Sequence, residues 1–241
     1  LVLGYIHSVK KKETWFVILF VSVFVVNVGY FSLSVSDTLN GALWANRISY
    51  LGSVFLPICM LMSVLRLSCI KYKKYLVYIL FILGFIVFLI AASPGYSTVY
   101  YKWVSLHTAN GIVYLNKEYG PLHIVYLFYL LSYFISMIAI MVYSKIKHKL
   151  NDTLRAIFLI IAVFINIAVW FLEQLVHIEF ELLSFSYIIS EAFLLGVALL
   201  IQENEKRIQQ VLKNNTENKK TIFSDDELVF FKRGIDTLTK T

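Results

Sequence analysis

Long apolar runs separated by short polar gaps are the main pattern along this chain. Each run is close to the ~20 residues that an α-helix needs to cross the hydrocarbon core of a bilayer. The pattern therefore predicts an all-α polytopic membrane protein, a helical bundle with six full spans. The predicted spans are Trp15–Leu33, Ile48–Leu65, Tyr75–Ala92, Leu122–Tyr143, Ala156–Val176 and Leu182–Ile201.

Lysine and arginine are concentrated in alternate gaps between these spans. The gaps at 66–74 and 145–155 hold four such residues each, whereas the gap at 177–181 holds none. Because loops rich in Lys and Arg stay on the cytoplasmic side, this alternation predicts the orientation of the whole bundle. The segments predicted to lie inside are the N-terminal stub, 66–74, 145–155 and the tail from Gln202, and those predicted outside are 35–47, 93–120 and 177–181.

The first residues of the chain resemble the end of a further helix. Residues 1–6 are apolar apart from Gly4, and the cluster Lys10-Lys11-Lys12 follows them. We therefore expect residues 1–6 to be the inner end of an earlier span, so that the intact protein would carry a seventh helix with its N-terminus outside.

The segment at 102–119 predicts an extracytoplasmic β-hairpin. Asn110-Gly111 separates two strand-like runs, and Asn-Gly favours the two-residue turns that join antiparallel strands. This register pairs Trp103 with Glu118 and His107 with Tyr114, so that these four candidate ligand-contacting residues share one aromatic and polar face. The opposite, largely apolar face is expected to pack on the helix ends, because an isolated hairpin is marginally stable.

Polar residues inside the predicted spans suggest a second candidate site. In the fifth span, Asn166, Trp170, Glu173 and His177 follow at steps of four, three and four residues, which places them on one helix face. Intramembrane polar residues usually face the bundle interior. Three interpretations remain open: hydrogen bonds that join helices, an outward-facing ligand crevice, or an ion or proton path. The other residues of this predicted crevice are Asn27, Tyr187 and Glu191.

Composition excludes several classes of protein. With 59% hydrophobic and 15% charged residues, the chain is not an ordinary soluble domain. The net charge of +7 is better explained by inner loops at an anionic leaflet than by a nucleic-acid surface. The five histidines are scattered and no catalytic motif is present, so we expect no enzymatic activity, no metal and no cofactor. A small transporter or channel is the alternative, although no internal repeat is visible and only Pro57 interrupts a span.

Three short motifs, in a fixed order, carry a resemblance. The stretch from Asn46 to Pro57 contains Tyr50-Leu51-Gly52, and Ser93-Pro94-Gly95 and Glu118-Tyr119-Gly120-Pro121 follow it. Over residues 1–201 the chain resembles the seven-transmembrane N-terminal region of bacterial histidine kinases and related receptors. The resemblance implies a sensor in the bacterial cytoplasmic membrane. It would pass a small-molecule or peptide signal, detected outside or within the membrane, through its last helix, and is expected to be a homodimer.

The tail suggests how such a signal would leave the membrane. The last helix is expected to run unbroken from 182 to about 211, so that 202–222 forms a cytoplasmic signalling helix or linker. Residues 223–241 carry no phosphoacceptor helix, and Thr237-Leu238-Thr239 resembles the lead-in to a LuxR-type helix-turn-helix. The tail would then begin a truncated output module, and nucleic acid would be contacted only through a missing C-terminal domain.

The predicted orientation can be tested by cysteine labelling. In a background without Cys59 and Cys69, single cysteines at Lys73 and Asn110 are treated with a membrane-impermeant thiol reagent on intact cells. We expect labelling at 110 and none at 73, with both sites reactive after permeabilisation. Labelling at 73 alone would reverse the orientation.

Overall fold

The computed structural model describes residues 13–68, 70–109 and 112–147, together with scattered positions before and after these segments. Within the three segments the chain forms four α-helices and one two-stranded antiparallel hairpin. The elements are α1 (Thr14–Ser34), α2 (Leu39–Leu67), α3 (Lys74–Ala91), β1 (Tyr101–Ala109), β2 (Ile112–Tyr119) and α4 (His123–Ile146).

All four helices are long and apolar enough to span a membrane, which confirms four of the predicted helices. The predicted spans at 156–176 and 182–201 fall mostly outside the described residues, so the number six stays a prediction. The positions described between 161 and 172, and between 188 and 196, are helical. Residues 198–241 form a separate unit. Its described positions, from 199 to 211, are helical and include an ion pair one turn apart between Arg207 and Glu203.

The predicted start of the second helix at Ile48 is wrong, because α2 begins at Leu39, nine residues before the apolar run does. The Thr38 side chain caps the helix by accepting a hydrogen bond from the backbone N–H of Gly41 at 3.1 Å. Asn40, Asn46 and Arg47 lower the hydropathy of this first stretch, although it is helical. A hydropathy pattern detects the part of a helix that suits lipid and misses a polar extension beyond it.

Backbone contact between α1 and α2 holds the centre of the bundle together. A Cβ atom at Gly52 would lie 2.5 Å from the Ser22 carbonyl oxygen, and one at Gly29 would overlap the backbone nitrogen of Ser49. Both serines are buried in this contact. Small residues allow such close approach, and in lipid the resulting van der Waals contact is a main source of helix association.

Three helices meet around Pro57 of α2. Proline has no N–H, so the Ser53 carbonyl loses its α-helical donor. The Tyr129 hydroxyl of α4 donates to the adjacent Val54 carbonyl at 2.7 Å, in a buried position. Gly84 of α3 lies against this point, since a Cβ there would be 3.2 Å from the Tyr129 hydroxyl oxygen. A neighbouring helix thus supplies a donor beside the proline, as membrane bundles require.

The hairpin has the predicted register. Trp103 pairs with Glu118 and His107 pairs with Tyr114, and the ladder is irregular only between Tyr101 and Trp103. The Asn110-Gly111 turn lies outside the described residues. The apolar face packs on the helix ends as expected, with Leu115 buried in a cluster that includes residues of α1 and α2. The other members of this cluster are Leu33, Ala42, Leu43 and Ala45, with Tyr30, Val104 and Leu106 packed against it.

The two ends of the bundle differ in chemistry. We call the end that carries the hairpin, where α1 and α3 end and α2 and α4 begin, the hairpin end. At the opposite end, the Trp15 indole N–H donates to the Tyr72 hydroxyl at 2.8 Å, and Glu13 forms an exposed ion pair with Arg66. The basic residues of segments 66–74 and 145–147 belong to this opposite end. The fold thus places together the lysines and arginines on which the predicted orientation rests.

Substitution of Gly52 tests the contact between α1 and α2. Alanine at an exposed helical position gains up to about 1 kcal/mol over glycine, but at Gly52 the added methyl group meets the backbone of α1. We expect Gly52→Ala to lower the free energy of unfolding in detergent by about 1–3 kcal/mol. Gly41→Ala is the control, because its added methyl group meets no backbone and its nearest atom is the Thr38 cap oxygen at 3.1 Å, so that it can cost no more than that cap, about 1 kcal/mol. Equal or higher stability of Gly52→Ala would contradict the backbone contact.

Candidate functional site

Asn27 is the only residue of the predicted crevice within the described part of the chain. It is half-buried on α1, and its side-chain amide donates to the Val23 carbonyl one turn earlier at 2.8 Å. This bond satisfies a donor inside its own helix. The crevice itself stays a prediction, because the structure does not describe its remaining members: Asn166, Trp170, Glu173, His177, Tyr187 and Glu191.

The predicted aromatic and polar face of the hairpin is accessible. Trp103 is 54% exposed. The His107 and Tyr114 rings contact each other across the strands with centroids 6.0 Å apart. Glu118 forms an exposed ion pair with Lys102 at 3.1 Å. An exposed pair of this kind contributes little to stability, so both charged groups remain available to a ligand.

A cluster of tyrosines around one histidine joins the hairpin to the helices, and the sequence analysis did not identify it as a site. The Tyr101 hydroxyl of β1 lies 3.0 Å from the Tyr50 hydroxyl of α2, and it accepts a hydrogen bond of 3.4 Å from the Asn46 amide. These bonds tie the first residue of the hairpin to α2. We call the set the tyrosine cluster; its members are Tyr50, Tyr100, Tyr101, Tyr119, His123 and Tyr126.

The start of α4 joins the same cluster. The His123 ring stacks on Tyr119 with centroids 3.7 Å apart, and it meets the edge of Tyr100 at 5.3 Å. Tyr100 is fully buried, and burial raises the pKa of its phenol well above the usual range, so its hydroxyl stays protonated. The Gly120 N–H donates to the Tyr100 carbonyl at 2.8 Å. A side chain at Gly120 would overlap the Val99 carbonyl, so this close approach requires glycine.

Arg47 fixes the loop that precedes β1. Its side chain is only 8% exposed. Its guanidinium donates to the carbonyls of Ala92 and Pro94 at 3.0 and 2.6 Å, and lies 4.5 Å from the centroids of both the Trp44 and Tyr96 rings. The Ala92 carbonyl is at the C-terminal end of α3, the negative end of the helix dipole, and the Pro94 carbonyl belongs to the loop that follows.

No carboxylate pairs with Arg47 among the residues that the structure describes. Carbonyl oxygens and two aromatic faces stabilise the buried charge instead. Gly95 completes the arrangement with a positive φ of 87°, and a Cβ there would lie 3.4 Å from the Arg47 guanidinium. In the sequence Arg47 is the last residue of the predicted outer gap at 35–47, and in the structure its side chain holds α2, the end of α3 and the loop at 93–98 together.

A groove lies between this loop and the hairpin. Its volume is about 320 Å³. The walls contain aromatic rings, one lysine, and the aliphatic hydroxyls of one serine and one threonine. No metal-binding group of His, Cys, Asp or Glu occurs within the described residues. The lining residues are Pro94, Gly95, Tyr96, Ser97, Thr98, Tyr101, Lys102, Trp103 and Val104.

The family model described as the N-terminal 7TM region of histidine kinase matches residues 1–202. The chain belongs to this family. No match was found among curated proteins or among solved structures. Membership confirms the resemblance drawn from the three short motifs and identifies the chain as a membrane-embedded sensor region of histidine-kinase type. The family match ends before the tail, so the resemblance of 223–241 to a LuxR-type lead-in stays a prediction.

The motifs that indicate the family lie in contacts at the hairpin end and in the contact between α1 and α2. Tyr50 contributes to the tyrosine cluster and Gly52 to the α1–α2 contact, while Pro94 and Gly95 receive the Arg47 side chain. Tyr119 and Gly120 connect β2 to α4. In this chain each motif therefore takes part in a contact between elements that are distant in sequence.

Replacement of Arg47 tests the loop attachment. A lysine keeps the charge but cannot donate to both carbonyls while stacking between two rings, because its ammonium is a compact point charge. We expect Arg47→Lys to lower the free energy of unfolding by about 1–3 kcal/mol, the usual range for hydrogen bonds from charged groups. Lys102→Ala, which removes an exposed ion pair, should change it by under about 1 kcal/mol. Thermal unfolding of nanodisc-embedded protein measures both, and wild-type stability of Arg47→Lys would refute this role.

Proposed function

We propose that this chain is the non-catalytic input region of a bacterial membrane receptor, with the hairpin end outside the cell and the C-terminus in the cytoplasm. The family match over residues 1–202 carries this proposal. The orientation rests on the basic residues at the end opposite the hairpin. The groove and the tyrosine cluster then face the extracytoplasmic side, where a signal arrives.

The contacts at the hairpin end favour coupling between the hairpin and the membrane helices. The hairpin begins at Tyr101, which is bonded to Tyr50 and Asn46 of α2. In turn, α2 meets α1 through backbone contact at Gly52. A displacement of the hairpin therefore either moves α2 or breaks these bonds. A ligand shifts such an equilibrium by the difference between its affinities for the two states.

The last helix is the proposed route to the cytoplasm. Helix-forming residues dominate after Ile201, and no glycine or proline lies between Gly196 and position 211. The ion pair between Arg207 and Glu203 has the one-turn spacing that supports a helix here. We propose that a homodimer of the receptor reads a shift or rotation of this helix and passes it to an output module, which the tail sequence suggests is DNA-binding.

A flexible joint in the last helix tests the transmission route. Two glycines inserted after Gln202 of the full-length receptor would decouple rotation on the two sides, because glycine is among the weakest helix formers. We expect a reporter downstream of the output module to lose its response to the growth conditions that change it in the parent, with normal protein levels in the membrane.

The control for this insertion is seven alanines at the same place. Seven residues are close to two helical turns, so this insertion lengthens the helix while keeping it stiff and nearly in phase. It should retain the response. An unchanged response after the glycine insertion would show that the last helix is not a rigid transmitter, and a transporter or a membrane anchor would then explain the chain better.

A further inference from the structure

Four successive residues of β1, Tyr101 to Val104, line the groove beside the hairpin. Successive side chains of a strand point to opposite faces of the sheet. A groove bordered by four residues in a row therefore runs along the edge of the strand, where backbone groups are presented, and not across one face.

This edge of β1 has no strand partner within the described residues. The sheet contains two strands, and β2 occupies the other edge. In an antiparallel ladder, residue pairs alternate between those that exchange hydrogen bonds and those that direct their N–H and C=O groups outward. Counted from the Ala109–Ile112 pair that closes the hairpin, Val104 falls in the outward set. Unpaired edge groups of this kind favour the addition of another strand.

The remaining walls indicate what kind of chain fits. Tyr96 is 77% exposed although its ring stacks on Arg47, and Trp103 is 54% exposed. Exposed rings beside an open strand edge suit apolar side chains of an added strand. Four strand residues cover about 13 Å along β1, so a groove of about 320 Å³ has a cross-section of about 25 Å², which suits one strand about 5 Å wide and not the two strands, about 10 Å wide, of a second hairpin. Since the loop at 94–98 bounds the groove on its other side, a single extended chain fits better than a second copy of the hairpin.

We propose that the groove binds an extended peptide segment with alternating apolar side chains, which adds as a third strand to the free edge of β1. In this mode main-chain hydrogen bonds supply affinity and side-chain pockets supply specificity. The proposal rests on the proposed sensor function in one respect: it names such a peptide as the class of signal that the receptor detects.

The test begins with a pool of labelled random hexapeptides, selected on the full chain in nanodiscs and measured one by one by fluorescence anisotropy. For peptides that bind at micromolar concentration, the effect of N-methylation on affinity should alternate along the peptide backbone. Two versions of each peptide are compared, one methylated at the odd-numbered and one at the even-numbered backbone nitrogens. One version should bind at least tenfold more weakly and the other should bind as the unmethylated peptide does, because only one set of N–H groups faces β1. Binding without alternation, or no binding at micromolar concentration, would overturn the proposal.

Protein variants locate the site. Val104→Pro removes the outward backbone N–H of β1. Val104→Ala is its control, because it also removes the packing of the valine side chain but keeps the N–H. We expect Val104→Pro to weaken binding at least tenfold relative to Val104→Ala, and equal affinities would place the peptide elsewhere and overturn the proposal. If Val104→Pro does not fold, the N-methylation series decides. In a Val104→Cys variant, two copies of the chain could form a disulfide with each other. If that disulfide excludes the peptide, a second copy is the occupant of the groove, which also overturns the proposal.

The reporter separates this proposal from the sensor function. A peptide that binds at β1 without changing the output supports the groove as a peptide site and contradicts its role in signalling. Loss of the reporter response in the glycine insertion, with peptide affinity unchanged, supports both proposals. A reporter that responds normally in Val104→Pro shows that the receptor senses something other than this peptide.

Discussion

Backbone contact between α1 and α2 at Gly29 and Gly52 is the constraint on which the rest of the described structure depends. Lipid provides no hydrophobic force between helices, so helices in a membrane are held by close contact and by hydrogen bonds. Further contacts with α3 and α4 enclose α2, which is buried on nearly every side from Ser53 to Leu65. Beside Pro57, the Val54 carbonyl accepts a hydrogen bond from Tyr129 of α4, and the Arg47 side chain meets the end of α3.

The hairpin end shows how a small sheet becomes part of a membrane bundle. A two-stranded hairpin alone is marginal in water, yet this one buries Leu115 against the helix ends and bonds Tyr101 to α2. Arg47 holds the loop before it and the tyrosine cluster holds the start of α4 after it. The hairpin is therefore attached at four points, while within the described residues no further strand pairs with its β1 edge and Trp103 on its aromatic face is exposed.

Sequence patterns predicted the features that depend on local periodicity. Apolar runs located four helices, and alternation around Asn110-Gly111 gave the strand register pair by pair. The start of α2 was missed because its first turns carry polar residues such as Asn40 and Asn46, so the apolar run begins only at Ile48 although the helix begins at Leu39. The length and composition of an apolar run predict that a helix exists, whereas the residues at which the helix begins and ends depend on tertiary contacts.

Contacts between distant residues were beyond the reach of the same reasoning. Members of the tyrosine cluster are separated by up to 76 positions, from 50 to 126, and no periodicity connects them. The role of Arg47 was not predicted, because nothing in the sequence places two carbonyls and two rings around it. The only sequence feature that pointed to these contacts was the recurrence of tyrosine and glycine in the three family motifs. The predicted intramembrane crevice, apart from Asn27, concerns residues that the structure does not describe, and it stays a prediction.

Hydrogen–deuterium exchange of the hairpin amides tests the central claim most directly, namely that the hairpin is a fixed part of the bundle. Exchange reports the free energy of local opening. We expect the amides of Tyr114 and Asn116 in β2, which are directed at β1, to exchange as slowly as the hydrogen-bonded amides near the start of α2, from Leu43 to Arg47. Exchange as fast as that of an isolated hairpin, with α2 still protected, would show that the hairpin moves independently of the helices and would contradict the account.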